Sequence, residues 1–226
     1  MIFKIASVDS LVIYFGNEIS EDIASIVQKA YFSLKNLNIE GIREIIPSYT
    51  SIYILYDIFK YDYSSFVEIL KNNIDLDYQD NSVKEIINID VYYGEEVGLD
   101  LNDMSLKTNL SIEEIIEIHS SKSYDVYAIG FSPGFAFLAS VDKKIAVPRL
   151  SSPRKSIPKG SVAIADTQTA VYPQQSPGGW NIIGRTAMEL FDKNLEKLSP
   201  LSVGHKVKFN PISKEEFLSQ GGIIWV

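Results

Sequence analysis

Two arginines and four lysines lie between Lys143 and Lys159, and no carboxylate occurs among them or before Ala165. Arg149 and Arg154 each follow a proline, in segments whose chemistry favours extended chain. Guanidiniums held in this way present planar forks of donors suited to carboxylate or phosphate oxygens. The lysines Lys143, Lys144, Lys155 and Lys159 are equally compatible with a solvated basic face. Downstream, Ser176-Pro177-Gly178-Gly179-Trp180 places consecutive glycines beside an indole, where main-chain N–H groups can approach an anion closely. Arg185 adds a further cation, and Gln168 and Tyr172 add neutral polar groups. Together these residues describe a site for a small anionic molecule, without specifying a reaction.

These residues need a scaffold of turns. Residues 126–191 alternate short apolar runs such as Val162–Ala165 with Pro- and Gly-rich turns, including Gly130-Phe131-Ser132-Pro133-Gly134-Phe135. Proline fixes φ and glycine opens conformations closed to other residues, so such turns hold neighbouring side chains at defined angles. Gly130-Phe131-Ser132-Pro133-Gly134 also matches the pattern of a serine-hydrolase elbow. That elbow uses the N–H of the residue after the serine. Pro133 has none, so a tight turn between strands is the better reading. Neither Gly-rich stretch has the Lys-Ser or Lys-Thr of a phosphate-binding loop. His119 and His205 are the only histidines and have no ligand-like neighbours, which argues against a metal site. His119 shares a helix face with Ile115 and Ile116, so a core role and a site role both stand.

The whole chain has 226 residues, 46% hydrophobic and 22% charged, with a net charge of −8 and no cysteine. This composition is that of a globular protein and makes nucleic acid a poor partner. It also excludes disulfides and thiolate chemistry. No apolar run reaches the ~20 residues of a membrane span, and a cytoplasmic location is expected.

Taken in order, Ile2–Ile5 and Leu11–Phe15 read as strands. Ser20 with Glu21 and Asp22 starts a helix carrying Ile23, Val27, Ala30 and Leu34 at helical spacing. Ile42–Ile46 and Ile52–Tyr56 read as a strand pair, about Ser64–Asn72 as a helix and Glu85–Tyr93 as a strand. Counted from Leu11 the order is βαββαβ, the ferredoxin-like pattern of an α+β domain. The polar stretch 74–84 marks a boundary between an N-terminal domain, 1–82, and a C-terminal domain, 83–226, that carries the site. Gly94–Asp103 reads as loop or short helix, and Ser111 with Glu114 forms a capping box that opens a helix over Ile112–His119. Beyond Tyr124 the short strands indicate a barrel or sandwich. Val207–Ile212 reads as a late strand, Lys214–Ser219 as a short helix and Ile223–Val226 as a closing strand.

Three segments, GFSPGFAFL, PRLSSPRKSIPKGSVAIADTQTAVYP and SPGGWNIIGRTAMELFD, resemble the family of bacterial 5-oxoprolinase B-type subunits, also called the KipI or allophanate hydrolase subunit 1 family. YFGNEIS, PSYTSIYILYD and YYGEEVGLDL extend the resemblance over nearly the whole chain. It implies a cyclophilin-like β-barrel as the second domain. It also implies one component of a hydrolase, inactive alone, that acts with a C-type partner (allophanate hydrolase subunit 2, KipA-like) and an A-type partner (LamB/YcsF-like). Such an enzyme converts 5-oxo-L-proline to L-glutamate with ATP, accompanied by Mg2+, bound here or at the interface with the C-type partner. The family also contains an inhibitor of a sporulation histidine kinase and modules of urea carboxylases acting on urea- or allophanate-type amides.

A lactam is a poor electrophile. Phosphorylating its oxygen calls for positioned cations and N–H donors around developing negative charge. On this expectation the candidate catalytic residues are His119, Arg149, Arg154, Gln168, Tyr172 and Arg185, with His119 as a proton carrier. The candidate substrate- or ATP-binding residues are Pro133, Gly134, Phe135, Lys159, Ser176, Pro177, Gly178, Gly179 and Trp180. No metal ligands are expected. The chain departs from the family pattern at Leu99, where proline is usual, and at His205, where aspartate is usual.

Overall fold

The first strand of the chain already departs from the expected pattern. In the computed structural model, which describes residues 1–79, 85–194 and 196–224, β1 (Ile2–Ser7) pairs antiparallel with β2 (Ser10–Tyr14) and forms an edge of a four-stranded sheet. After α1 (Glu21–Leu37) come β3 (Ile42–Pro47), β4 (Ser51–Tyr56) and α2 (Tyr63–Asn73), and the sheet order is β1-β2-β4-β3. Ser20 caps α1 by accepting from the Ile23 N–H at 3.3 Å, with Glu21 and Asp22 in the first turn where the helix dipole favours acids. Val27, Ala30 and Leu34 line its buried face, and Asn38 ends it in the left-handed region. Those side chains meet Leu11 and Ile13 of β2, Ile52, Ile54 and Tyr56 of β4, and Phe66 and Leu70 of α2.

The strand that the ferredoxin-like order requires last, β5 (Ile86–Val91), belongs to a different sheet. It runs parallel to β13 (Lys206–Pro211), and in the first sheet β1 takes the edge place beside β2. The chain divides into two compact units, Met1–Val83 and Lys84–Val226. The boundary expected between residues 82 and 83 lies outside the described residues.

The second unit follows β5 with α3 (Leu101–Thr108) and α4 (Ile112–Ser120). Both hydrogen bonds of the α4 capping box form, Glu114 N–H to Ser111 Oγ at 3.1 Å and Ser111 N–H to Glu114 Oε2 at 2.7 Å. Eight strands complete it: β6 (Ser123–Ile129), β7 (Ala136–Ala139), β8 (Arg154–Ile157), β9 (Ser161–Ala165), β10 (Gln168–Val171), β11 (Ser176–Gly178), β12 (Asn181–Arg185) and β13. A short helix, α5 (Lys214–Ser219), follows β13 where the sequence places it. Residues 225 and 226 of the expected closing strand lie outside the described residues, and residues 223 and 224 have no regular structure.

Six of these strands join β5 in one seven-stranded sheet, in the order β12-β9-β10-β7-β6-β13-β5. Its two edges nearly meet. Tyr92, just past β5, exchanges hydrogen bonds of 2.9 and 2.8 Å with Arg185 of β12, so the sheet is a nearly closed barrel. Glycine at 184 permits that closure, since a Cβ there would sit 2.8 Å from the Tyr92 carbonyl oxygen. β8 and β11 form a separate two-stranded sheet.

Side chains alternate across the barrel wall, as a pleated strand requires. Val162 and Ile164 of β9 and Val171 of β10 pack in one core with Leu101 and Met104 of α3 and Ile115 of α4. Ala163 and Ala165 of β9 and Ala170 of β10 pack in a second core with Phe135, Ile157, Tyr172, Trp180 and Ile182. No helix among the described residues is long and apolar enough to cross a membrane.

Candidate functional site

The second core is an aromatic cluster on a floor of alanines. Phe135 stands edge-on to Tyr172 at 5.3 Å and to Trp180 at 5.9 Å between ring centroids. The turn Ser132-Pro133-Gly134 delivers Phe135 to this place, with Phe135 N–H bonded to Ser132 O at 3.0 Å and Gly134 at φ +79°. Pro133 is exposed at its tip. Tyr172 is only 2% exposed, and glycine at 178 is what leaves room for it: a Cβ there would lie 2.3 Å from the Tyr172 hydroxyl. The Trp180 main-chain N–H donates to that hydroxyl oxygen. Burial raises the Tyr172 pKa to about 12, opposed by Arg149, the Trp180 N–H and Arg154. Tyr172 therefore stays protonated, a donor rather than a base. Gln168 lies two residues before Ala170 on β10, on the same face of the sheet as Tyr172.

The arginines differ from one another. Arg149 is exposed and has no ion-pair or hydrogen-bond partner among the described residues. Arg154 gives a two-point fork to Asp100, Nη1 to Oδ2 at 2.9 Å and Nη2 to Oδ1 at 2.7 Å. It is not the second free half of an anion clamp, because its charge is already matched. Arg185 is buried, and its Nε and Nη1 donate to the carbonyls of Lys159 at 2.9 Å and Ile223 at 2.6 Å. Burial lowers its pKa. Its guanidinium holds chain segments together. Lys159 is exposed and paired with Glu189.

His119 lies in the other core. It is fully buried and its ring stacks on Phe209 at 4.6 Å. Thr169 Oγ1 donates to Ala163 O at 3.1 Å, so it accepts from His119 Nε2–H at 2.9 Å. Nδ1 is then left to accept from the Tyr93 hydroxyl at 2.8 Å. Burial holds the imidazole neutral, with its pKa lowered to about 3. Thr169 alternates with Ala170 on β10, so His119 and Tyr172 belong to opposite sides of the barrel wall. The structure gives His119 the core role, and the expected proton carrier is not brought to the arginines.

Near the glycine pair, Ser176 and Pro177 lie on β11, Gly178 stands opposite Arg154, and Gly179 O accepts from Leu150 N–H at 2.7 Å. The buried hydroxyl oxygens of Ser176 and Ser132 have no hydrogen-bond partner among the described residues. Asp100 is the site residue that sequence reasoning passed over. It sits in YYGEEVGLDL, read from sequence as part of a loop or short helix and for its resemblance, and nothing local marks its carboxylate as buried. Leu99, the departure beside it, is half-exposed. No cluster of three or more metal-binding side chains occurs among the described residues.

A mixed α/β chain with a nearly closed barrel and a polar, aromatic outer site has the architecture of a carboxyltransferase-type domain. The Kluyveromyces lactis urea carboxylase shares this fold with a TM-score of 0.71 at 16% identity, over 96% of this chain and 22% of that one. The family profile described as Carboxyltransferase domain, subdomain C and D matches residues 1–201. The chain is 40% identical over 221 residues to the 5-oxoprolinase B-type subunit of Bacillus subtilis, covering 92% of this chain and 91% of that one. The solved structure of TTHA0988 superposes with a TM-score of 0.79 at 30% identity, over 91% of this chain and 40% of that one. The chain belongs to the family of 5-oxoprolinase B-type subunits.

Proposed function

We propose that this chain is the B-type subunit of an ATP-dependent 5-oxoprolinase, which opens 5-oxo-L-proline to L-glutamate. The observation that carries the reading is the 40% identity, over 92% of this chain, with a Bacillus subtilis chain that bears this name. Its chemistry is supported by the outer cluster. 5-Oxoproline offers a carboxylate and a lactam oxygen. Arg149, exposed and without a partner among the described residues, suits the carboxylate or a phosphate of ATP. The Tyr172 hydroxyl, protonated and polarised by the Trp180 N–H, suits the lactam oxygen, with Gln168 on the same face. Phe135 and Trp180 form the wall, and the hydroxyls of Ser132 and Ser176, without a partner among the described residues, offer further hydrogen bonds.

ATP fits this donor set through its phosphates only, and Mg2+ would arrive on the nucleotide, since no carboxylate cluster among the described residues is there to hold it. The chain spans 40% of TTHA0988, consistent with a second module completing the site. On this reading the cyclophilin-like barrel supplies binding and polarisation, and the A-type and C-type partners supply the rest, in the cytoplasm.

The test is ADP release by the purified chain, alone and with its A-type and C-type partners. Release that requires both 5-oxoproline and all three chains is expected. A complete set that releases no ADP on addition of 5-oxoproline overturns the reading.

A further inference from the structure

Asp100 does more than occupy the start of α3. It is 4% exposed, and its carboxylate meets three donors: both terminal nitrogens of Arg154 and the Ile182 N–H at 2.6 Å. Its own N–H donates to Ile182 O at 2.9 Å, so it also fills the seam where β12 approaches β5. A guanidinium carries five N–H donors in one plane. Two go to Asp100, and no acceptor among the described residues takes those on Nε or the second hydrogens of Nη1 and Nη2. The Arg154 side chain remains 28% exposed, faces Gly178 across the β8–β11 pair and bears electrostatically on the Tyr172 hydroxyl.

We propose that Asp100 is a positioning residue: it holds the Arg154 guanidinium so that its spare N–H donors face the bound substrate beside Tyr172. The pairing cancels Arg154 as a free charge and keeps it as an oriented donor, which leaves Arg149 to attract the anion. Two arginines five positions apart thereby acquire different tasks, one electrostatic and one geometric. This inference rests on the oxoprolinase reading for its reaction, and on the geometry alone for the locking of Arg154.

The experiment is a double-mutant cycle in the reconstituted enzyme with Asp100→Asn, Arg154→Met and the pair together. Asparagine keeps an oxygen for the Ile182 N–H and removes the charge facing Arg154. For Asp100→Asn, kcat falls about tenfold. KM for 5-oxoproline also falls, because an unpaired guanidinium attracts the substrate anion more strongly. The double variant is no slower than Arg154→Met, because a residue acting through another adds nothing once that other is gone. A double variant slower than Arg154→Met by the whole Asp100→Asn factor overturns the proposal and leaves Asp100 a purely structural residue. Should Asp100→Asn be recovered unfolded, Asp100→Glu takes its place in the cycle.

If the unmodified enzyme shows no turnover, the oxoprolinase reading has failed, and arginine modification still decides the locking. With phenylglyoxal and peptide mass spectrometry, Arg149 reacts equally in both chains and Arg154 reacts several-fold faster in Asp100→Asn. Equal Arg154 rates overturn the proposal.

Discussion

The two sides of the barrel wall carry two polar clusters that differ in what they leave unused. On one side His119 donates to Thr169, accepts from Tyr93, and stacks on Phe209, so both ring nitrogens are occupied. On the other side Tyr172 receives the Trp180 N–H, Arg154 has donors to spare, and Arg149 has no partner among the described residues. Each cluster holds a group whose pKa burial displaces, His119 on one side and Tyr172 on the other, so displacement alone does not locate the site. Unused hydrogen-bonding capacity does, because a closed network rigidifies a core whereas an open one can accept a ligand.

The largest expected effect tests the closed side. His119→Ala leaves a cavity and takes the acceptor from the buried Tyr93 hydroxyl, and should cost about 3 kcal/mol of stability. Urea unfolding measures it, and turnover should fall only as far as folded protein is lost. A large loss of rate in fully folded protein would break the contrast.

On the open side, Arg149→Ala should lower kcat/KM of the reconstituted enzyme about a hundredfold, or about 2.7 kcal/mol. The same change should move the chain's unfolding midpoint little, since an exposed, unpaired side chain supports no packing. Unchanged kinetics would remove Arg149 from the site.

A smaller effect is expected from Tyr172→Phe, about tenfold in kcat, or about 1.4 kcal/mol. Gly178→Ala should match it, because the new Cβ displaces the same hydroxyl that the first change deletes. If Gly178→Ala were silent, the hydroxyl would not be a functional group.

The smallest effect sharpens the comparison through pH. The His119 pKa falls from an unfolded value of about 6.5 to about 3, so the unfolded chain binds the proton first as pH drops. Its contribution to stability is intact above about pH 6.5 and declines below it. Between pH 7 and 5.5 the loss should be about 1 kcal/mol, and it should vanish in His119→Asn. Tyr172, raised to about 12, should leave the rate free of a tyrosine titration near neutrality.

Local chemistry was legible without coordinates. The Ser20 start of α1, the Ser111–Glu114 capping box, the β3–β4 pair and the Lys214–Ser219 helix all depend on neighbours within a few residues. So was the concentration of polar turns in residues 126–191, and the motifs there resemble the family to which the chain belongs. α3 was only half legible, since Gly94–Asp103 reads as loop or short helix and the helix begins at Leu101.

By itself, then, the sequence determined the short-range elements, the absence of thiol chemistry, and the list of residues from which a site is drawn. Tertiary structure decided which of them share it. β5 left the first sheet for a parallel partner more than a hundred residues away, a pairing no local pattern encodes. Strand alternation sent His119's partner Thr169 inward and Ala170 outward, separating the histidine from the cations. Arg154 lost its free charge to Asp100, 54 residues earlier in the chain. Charge and residue type are properties of a sequence, but whether a donor still lacks an acceptor is settled only when the chain has packed.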